Sequence, residues 1–340
     1  MDLRTFARDY FVLPQQVRVS PVSRSANLLT FVLLAIGSAV SLATKFVFGS
    51  LPNILLLIIA VLILDVLIQL APPAKVAQRV QTIIYGLLYL VVTCVCGVFA
   101  AYAMQRLTFP LQDGFLIYLD AALGFDWIGY AQWVDRHAFL QALLYPAYHS
   151  IAFQIALPIF VFGAAGRLSD LRRYLLAFAI AFVATIMISA LMPATGPIAF
   201  IDRDMFEILR FTGATPVNHL TRLREAGPLV FEDFPGGIAT FPSFHSTVAV
   251  LTPLVLRRQR WIFFPLLTLD AAMLAATITE GAHYLCDVFA GSAMAFVGYA
   301  LSKHVLRLEQ RYEAGAATAL AISGSNTRAK LSAPIGPTSL

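Results

Sequence analysis

TIIYGLLYLVVTCVCGVFAAYAM, residues 82–104, runs 23 positions without an acid, a base, a histidine or a proline. As an α-helix it extends about 34 Å, enough to cross a hydrocarbon core of about 30 Å. Runs of this kind recur along the chain, which is 59% hydrophobic and 13% charged with a mean hydropathy of +0.76. That composition excludes an ordinary soluble globule and predicts an all-α, polytopic membrane helical bundle.

Apolar length and turn residues predict eight spans: about Leu28–Phe48, Leu51–Leu70, Thr82–Met104, Phe139–Phe162, Tyr174–Met192, Phe244–Leu256, Trp261–Thr279 and Tyr284–Val305. The first two form a hairpin about Gly49-Ser50, so residues 1–81 read as a cytoplasmic N-terminus plus hairpin and residues 82–305 as a six-helix core. The arginine-flanked first run is of span length and reads as a retained anchor. Residues 106–137 are too polar to span and too aromatic for water, and read as interfacial short helices forming a lid. Residues 193–240 form a long outer loop punctuated by Gly and Pro, and residues 306–340 read as a disordered cytoplasmic tail.

Of 24 Lys and Arg residues, 17 fall on the side shared by both termini, among them Arg4, Arg79, Arg167, Arg257 and Lys303. The positive-inside rule makes that side cytoplasmic. The net charge of +5 then reflects loop bias and anionic headgroups, and no nucleic-acid partner is assigned. Cys94, Cys96 and Cys286 give no disulfide framework. The expected location is a bacterial inner (cytoplasmic) membrane.

Against this apolar background stand Phe241-Pro242-Ser243-Phe244-His245-Ser246 and His283-Tyr284-Leu285-Cys286-Asp287. Span parity brings both to the outer, extracytoplasmic face. His283 and Asp287 are four positions apart, so on a helix the carboxylate can accept from one ring nitrogen and free the other as a nucleophile. His245, an imidazole with an ordinary pKa near about 6.5, suits protonation of a leaving alkoxide. Phosphoryl chemistry is therefore expected, with Ser243 and Ser246 at a helix start and Arg203, Arg210, Arg222 and Arg224 of the loop as candidate phosphate ligands. Two histidines and a carboxylate also suit a metal, but only Cys286 joins them and no metal is assigned. His149 and His304 read as packed helix residues, with Tyr145 on the face of His149 and lining of a lipid-access cleft as the second reading for that pair, and His137 and His219 as solvated loop residues. Asp65 and Asp270 lie inside spans, far from the outer face.

These motifs resemble the type 2 phosphatidic acid phosphatase superfamily. Its Pro-Ser-x-His signature is matched by Pro242, Ser243 and His245, and its His-x-x-x-Asp signature by His283 and Asp287. The resemblance implies a six-helix catalytic core, a histidine nucleophile (His283), an acid histidine (His245) and a metal-independent reaction with no cofactor. The family's Ser-Arg pair falls at Ala276 and Thr277, and its Lys-x6-Arg-Pro signature is replaced by Met192-Pro193-Ala194-Thr195-Gly196-Pro197. With the His-Tyr-x-x-Asp form, these departures resemble the inositolphosphorylceramide synthase-like branch. The implied substrate is a membrane lipid phosphate, with water, an alcohol or a second lipid as acceptor. A transporter is the alternative from another class.

Overall fold

The computed structural model describes residues 21–49, 75–202, 214–232, 236–238 and 240–331, with residues 56, 59, 60, 63 and 206 between them. Its elements in chain order are α1 (Arg24–Thr44), β1 (Phe46–Phe48), α2 (Lys75–Gln105), α3 (Asp113–Ala122), α4 (Trp127–Asp135), α5 (Ala138–His149), α6 (Ile151–Ala164), α7 (Leu168–Leu191), a 3-10 turn (Pro197–Phe200), α8 (Ala214–Leu223), β2 (Leu229–Phe231), α9 (Phe244–Leu256), α10 (Arg260–Thr279) and α11 (Leu285–Leu331).

The all-α class holds. Among the described residues, five helices are long and apolar enough to cross a membrane: α1, α2, α7, α10 and α11. A sixth crossing is the pair α5–α6, bent by 52°. The expected span at Phe139–Phe162 is therefore two helices. At the break the Ser150 hydroxyl donates to the Ala147 carbonyl at 2.6 Å, in competition with the main-chain ladder. Two of the eight expected spans are not among these six. The one at Leu51–Leu70 falls on a stretch of which only residues 56, 59, 60 and 63 are described, Asp65 not among them, and α9 has 13 residues, about 20 Å, too short to cross alone.

α7 is the most deeply buried of the spanning helices, from Leu171 through Tyr174, Phe178 and Phe182 to Ala190, as a central helix of a bundle must be. It packs on α2 and α11, and α9 packs between α10 and α11. Small residues set the closest approaches. A Cβ on Gly298 of α11 would stand 2.5 Å from the Ala177 carbonyl oxygen of α7, and one on Gly291 would stand 2.0 Å from the Ser243 carbonyl oxygen that starts α9. The second approach locks the start of α9 against the first turns of α11.

Two expectations change outside the spans. The backbone of residues 306–331, expected to be disordered, continues α11 as helix, and Glu309 accepts from the Ser25 N–H at 2.6 Å and faces Arg172 at 3.9 Å. In the loop at 193–240, β2 pairs in parallel with β1, Phe46 opposite Leu229. His219 of α8, expected in water, is 5% exposed, with its Nδ1 2.9 Å from the Tyr102 hydroxyl.

Candidate active site

His283 sits in the turn between α10 and α11 and Asp287 in the first turn of α11, so the pair does not share one helix as expected, yet the expected contact forms. The ring Nδ1 lies 3.1 Å from Asp287 Oδ2, both groups buried. A carboxylate oxygen only accepts, so Nδ1 carries the proton and Nε2 keeps a free lone pair. The same Oδ2 accepts the Tyr284 N–H at 3.0 Å. One oxygen thus holds both the ring and the backbone beside it.

α9 begins where Ser243 caps it, its hydroxyl accepting the Ser246 N–H at 3.3 Å. The Ser243 N–H donates to the Asp287 carbonyl at 3.1 Å. The helix bearing His245 is thereby tied to the helix bearing Asp287. The His245 ring stacks on Tyr148, centroids 4.0 Å apart and planes 12° from parallel.

His245 and His283 open into one cavity of about 540 Å³. Its polar end adds His149, Glu280 and Thr195, and its apolar end runs along Cys94, Gly97, Val98 and Ala101 of α2 and Phe182 and Ile186 of α7. The α2 residues stand at i, i+3, i+4 and i+7, so one helix face walls a slot about 10 Å long. This corrects the packing expectation for His149 and Tyr145, which both line the cavity. His149 Nδ1 meets the Tyr145 carbonyl at 2.9 Å, which leaves Nε2 as its free nitrogen. Burial raises the Glu280 carboxyl above the ordinary carboxyl range, and the charge of His149 offsets this in part.

The expected phosphate ligands fare differently. Ser243 and Ser246 are fully buried in the start of α9 and do not line the cavity. Arg222 lies over the Phe231 ring at 5.2 Å, and Arg224 donates to the Phe109 carbonyl at 2.7 Å, so neither reaches the histidines. Arg203 and Arg210 lie outside the described residues. Among the described residues the cavity wall carries no Lys or Arg. Among its buried hydroxyls, the Oγ1 atoms of Thr185 and Thr195 have no partner among the described residues.

Residues 106–137 do form two short helices, α3 and α4, but they do more than cover the bundle. Asp113 accepts from the Thr195 N–H at 3.0 Å, the Gly196 N–H at 2.9 Å and the Tyr284 hydroxyl at 3.0 Å. Two turns on, Asp120 accepts from Leu285 N–H at 2.8 Å and Cys286 N–H at 2.9 Å, capping α11 directly before Asp287. Trp127 Nε1 donates to the His283 carbonyl at 3.0 Å. Gly196, at φ +85, lies so close to Ala282 that a Cβ would stand 2.6 Å from the Ala282 carbonyl oxygen. The loop at 193–196, the turn at 282–286 and α3 therefore form one unit. The available signal was the spacing of Asp113, Leu116 and Asp120, which puts two acids on the apolar face of a short helix.

The described residues thus place a His–Asp pair and a second histidine on one cavity of an apolar helical bundle. A profile of the PAP2 superfamily matches residues 114–301, more than half of the chain, and the protein belongs to that superfamily. Membership suggests an enzyme of the phosphatase or phosphotransferase type acting on lipid phosphates. No curated protein and no solved structure matches the chain.

Proposed function

We propose that this protein cleaves or transfers the phosphate ester of a membrane lipid through a phosphohistidine on His283. The observation that carries the reading is the 3.1 Å contact of His283 Nδ1 with Asp287 in a cavity that also holds His245. Nε2 of His283 attacks phosphorus, the P–N bond forms as the P–O bond to the lipid breaks, and His245 gives its proton to the departing alkoxide. Asp287 offsets the positive charge that grows on the imidazole. Water or an acceptor alcohol, deprotonated by His245, then attacks phosphorus and releases His283. The apolar slot between α2 and α7 suits the chain of the lipid. The charge distribution of the loops supports an extracytoplasmic site with both termini inside, in a bacterial inner membrane.

Transfer of a phospho-headgroup to a second lipid, as in the inositolphosphorylceramide synthase-like branch, is the second reading. It is favoured by the His283-Tyr284-x-x-Asp287 form. Either course uses the same residues.

The test incubates purified protein in lipid with phospholipids and lipid diphosphates, and follows released phosphate against new lipid products. His283→Ala removes both activities and the alkali-stable, acid-labile labelled protein formed from a labelled headgroup. Full activity in His283→Ala refutes the nucleophile. Substrate movement across the membrane that survives loss of both histidines favours a transporter instead.

A further inference from the structure

The end of the bundle away from the histidines carries a second polar site that this chemistry does not use. α9 has His245 in its first turn and Arg257 just past its last residue, so about 18 Å of helix separates the two ends. There the α6–α7 turn, the α9–α10 turn and the middle of α11 enclose a hollow of about 60 Å³ lined by Arg167, Arg173, Arg257 and Arg258, with Asp170 and Tyr299. It shares Asp170 and Arg173 with a neighbouring hollow of about 260 Å³ that adds Arg172, Lys303 and Arg307.

Four guanidinium groups face one carboxylate in the smaller hollow, and that carboxylate is occupied. Arg167 holds Asp170 through two nitrogens, each 2.7 Å away. Next door, Glu309 serves the Ser25 N–H and Arg172, and Glu313 faces Arg24 at 3.7 Å. Among the described residues Arg173, Arg257 and Arg258 have no carboxylate partner. Two of them share one ring: the Arg173 guanidinium lies 3.8 Å over the Tyr299 centroid and that of Arg257 lies 5.1 Å from it, with a further bond to the Tyr299 hydroxyl. The Nε of Arg173 is buried without a partner.

Two cations pressed on one ring repel each other, and an anion between them turns that repulsion into attraction. The positive-inside rule accounts for arginines on this face, but it asks only that they lie in the loops. It does not account for their convergence on a hollow. Trp261, 96% exposed one turn beyond Arg258, is the side chain that favours headgroup depth. We propose that the hollow binds a phosphate-bearing anion, either the headgroup of an anionic membrane lipid or free phosphate. The ligand ties together α7, α9 and α11, whose other ends carry the loop at 193–196, His245 and Asp287.

The test uses the full chain in phosphatidylcholine nanodiscs, to which phosphatidylglycerol or sodium phosphate is added. Thermal midpoints and the lipids retained in native mass spectrometry are read. Wild type is expected to retain phosphatidylglycerol over phosphatidylcholine and to unfold later with it. R257Q/R258Q loses that preference by on the order of 30-fold, a factor of about five for each interfacial charge removed. K45Q/R136Q removes the same charge at the other end and keeps the preference. Sodium phosphate that reproduces the shift in neutral discs, and displaces the retained lipid, assigns the site to free phosphate and supports the shared chemistry. The proposal is overturned if neither anion shifts the wild-type midpoint, or if R257Q/R258Q retains phosphatidylglycerol as wild type does. If the double variant does not fold, the wild-type titrations decide.

Discussion

Asp287→Asn tests the geometry of the site more sharply than removal of either histidine. An asparagine is nearly isosteric, and its effect depends on which atom it turns toward His283. If its amide nitrogen faced the ring, Nδ1 would accept, the proton would move to Nε2, and the nucleophile would be lost. The structure forbids that orientation. The position of Oδ2 receives both the His283 Nδ1–H and the Tyr284 N–H, at 3.1 Å and 3.0 Å. An amide nitrogen there would face a second, buried donor, a loss of about 1–3 kcal/mol. Asn must therefore place its oxygen at that point, and the productive tautomer survives.

What the variant loses is charge. A hydrogen bond to an ionised acceptor is about twice as strong as a neutral one, which removes roughly 1 kcal/mol. Full unit charges about 4 Å apart attract by about 4 kcal/mol at an effective dielectric constant of 20, and half-developed charge on the imidazole gives about 2 kcal/mol. The total of about 3 kcal/mol predicts a kcat lowered about 100-fold, with a thermal midpoint near that of wild type. Asp287→Ala also leaves the Tyr284 N–H unpartnered and the ring unguided, so it loses a further ~10-fold or more and unfolds earlier. Initial rates of phosphate release from a micellar lipid phosphate, beside melting curves for both variants, supply the comparison. If Asp287→Asn folds normally yet is as inactive as Asp287→Ala, its nitrogen has turned to the ring and the shared-oxygen argument is wrong.

Three further outcomes follow from other contacts. Asp120→Ala strips the acceptor from the Leu285 and Cys286 N–H groups and should cost about 2–4 kcal/mol of stability, with kcat falling more than KM changes, whereas Asp120→Asn keeps one acceptor and falls between; equal melting points for all three proteins would count against the cap. Gly97→Ala puts a Cβ 2.1 Å from the Phe182 ring edge, which must swing into the slot, so KM should rise for long-chain substrates and stay flat for short-chain ones; parallel changes for both would show that the slot does not take the chain. Burial raises the Glu280 carboxyl, so the folded state prefers the protonated form: the stability it contributes is whole below the ordinary carboxyl range and is lost as pH rises through the folded value. Glu280→Gln stays neutral throughout and should melt above wild type at pH 8, with the gap closing toward about pH 4; a gap that widens on acidification would reverse the sign of the shift.

The contrast between His283 and His149 shows what a sequence can carry about such a site. The His283–Asp287 contact is local: with His283 in the turn and Asp287 four positions later in the first turn of α11, the two groups lie within reach of each other, and apolar run lengths brought His245 to the same face. His149 stands in the same relation to Tyr145, and that spacing is realised, yet it decides nothing about function. What gives His149 its place on the cavity is the rest of the wall, which comes from α2, α7 and the turn at 280–283 and which its own spacing does not report. Two of the four candidate arginines, Arg222 and Arg224, are held elsewhere for a related reason. Their charge was legible, but Arg222 is held by an aromatic ring and Arg224 by a carbonyl more than 100 positions away. Asp113 and Asp120 are the hardest case, because their partners are chiefly backbone N–H groups 82 to 166 positions later. Nearly every residue offers such a donor, so no residue type marks the far end of the contact. The groups that react must be His or Asp and leave a pattern in the chain, while the groups that hold them grip the backbone and become visible only in the fold.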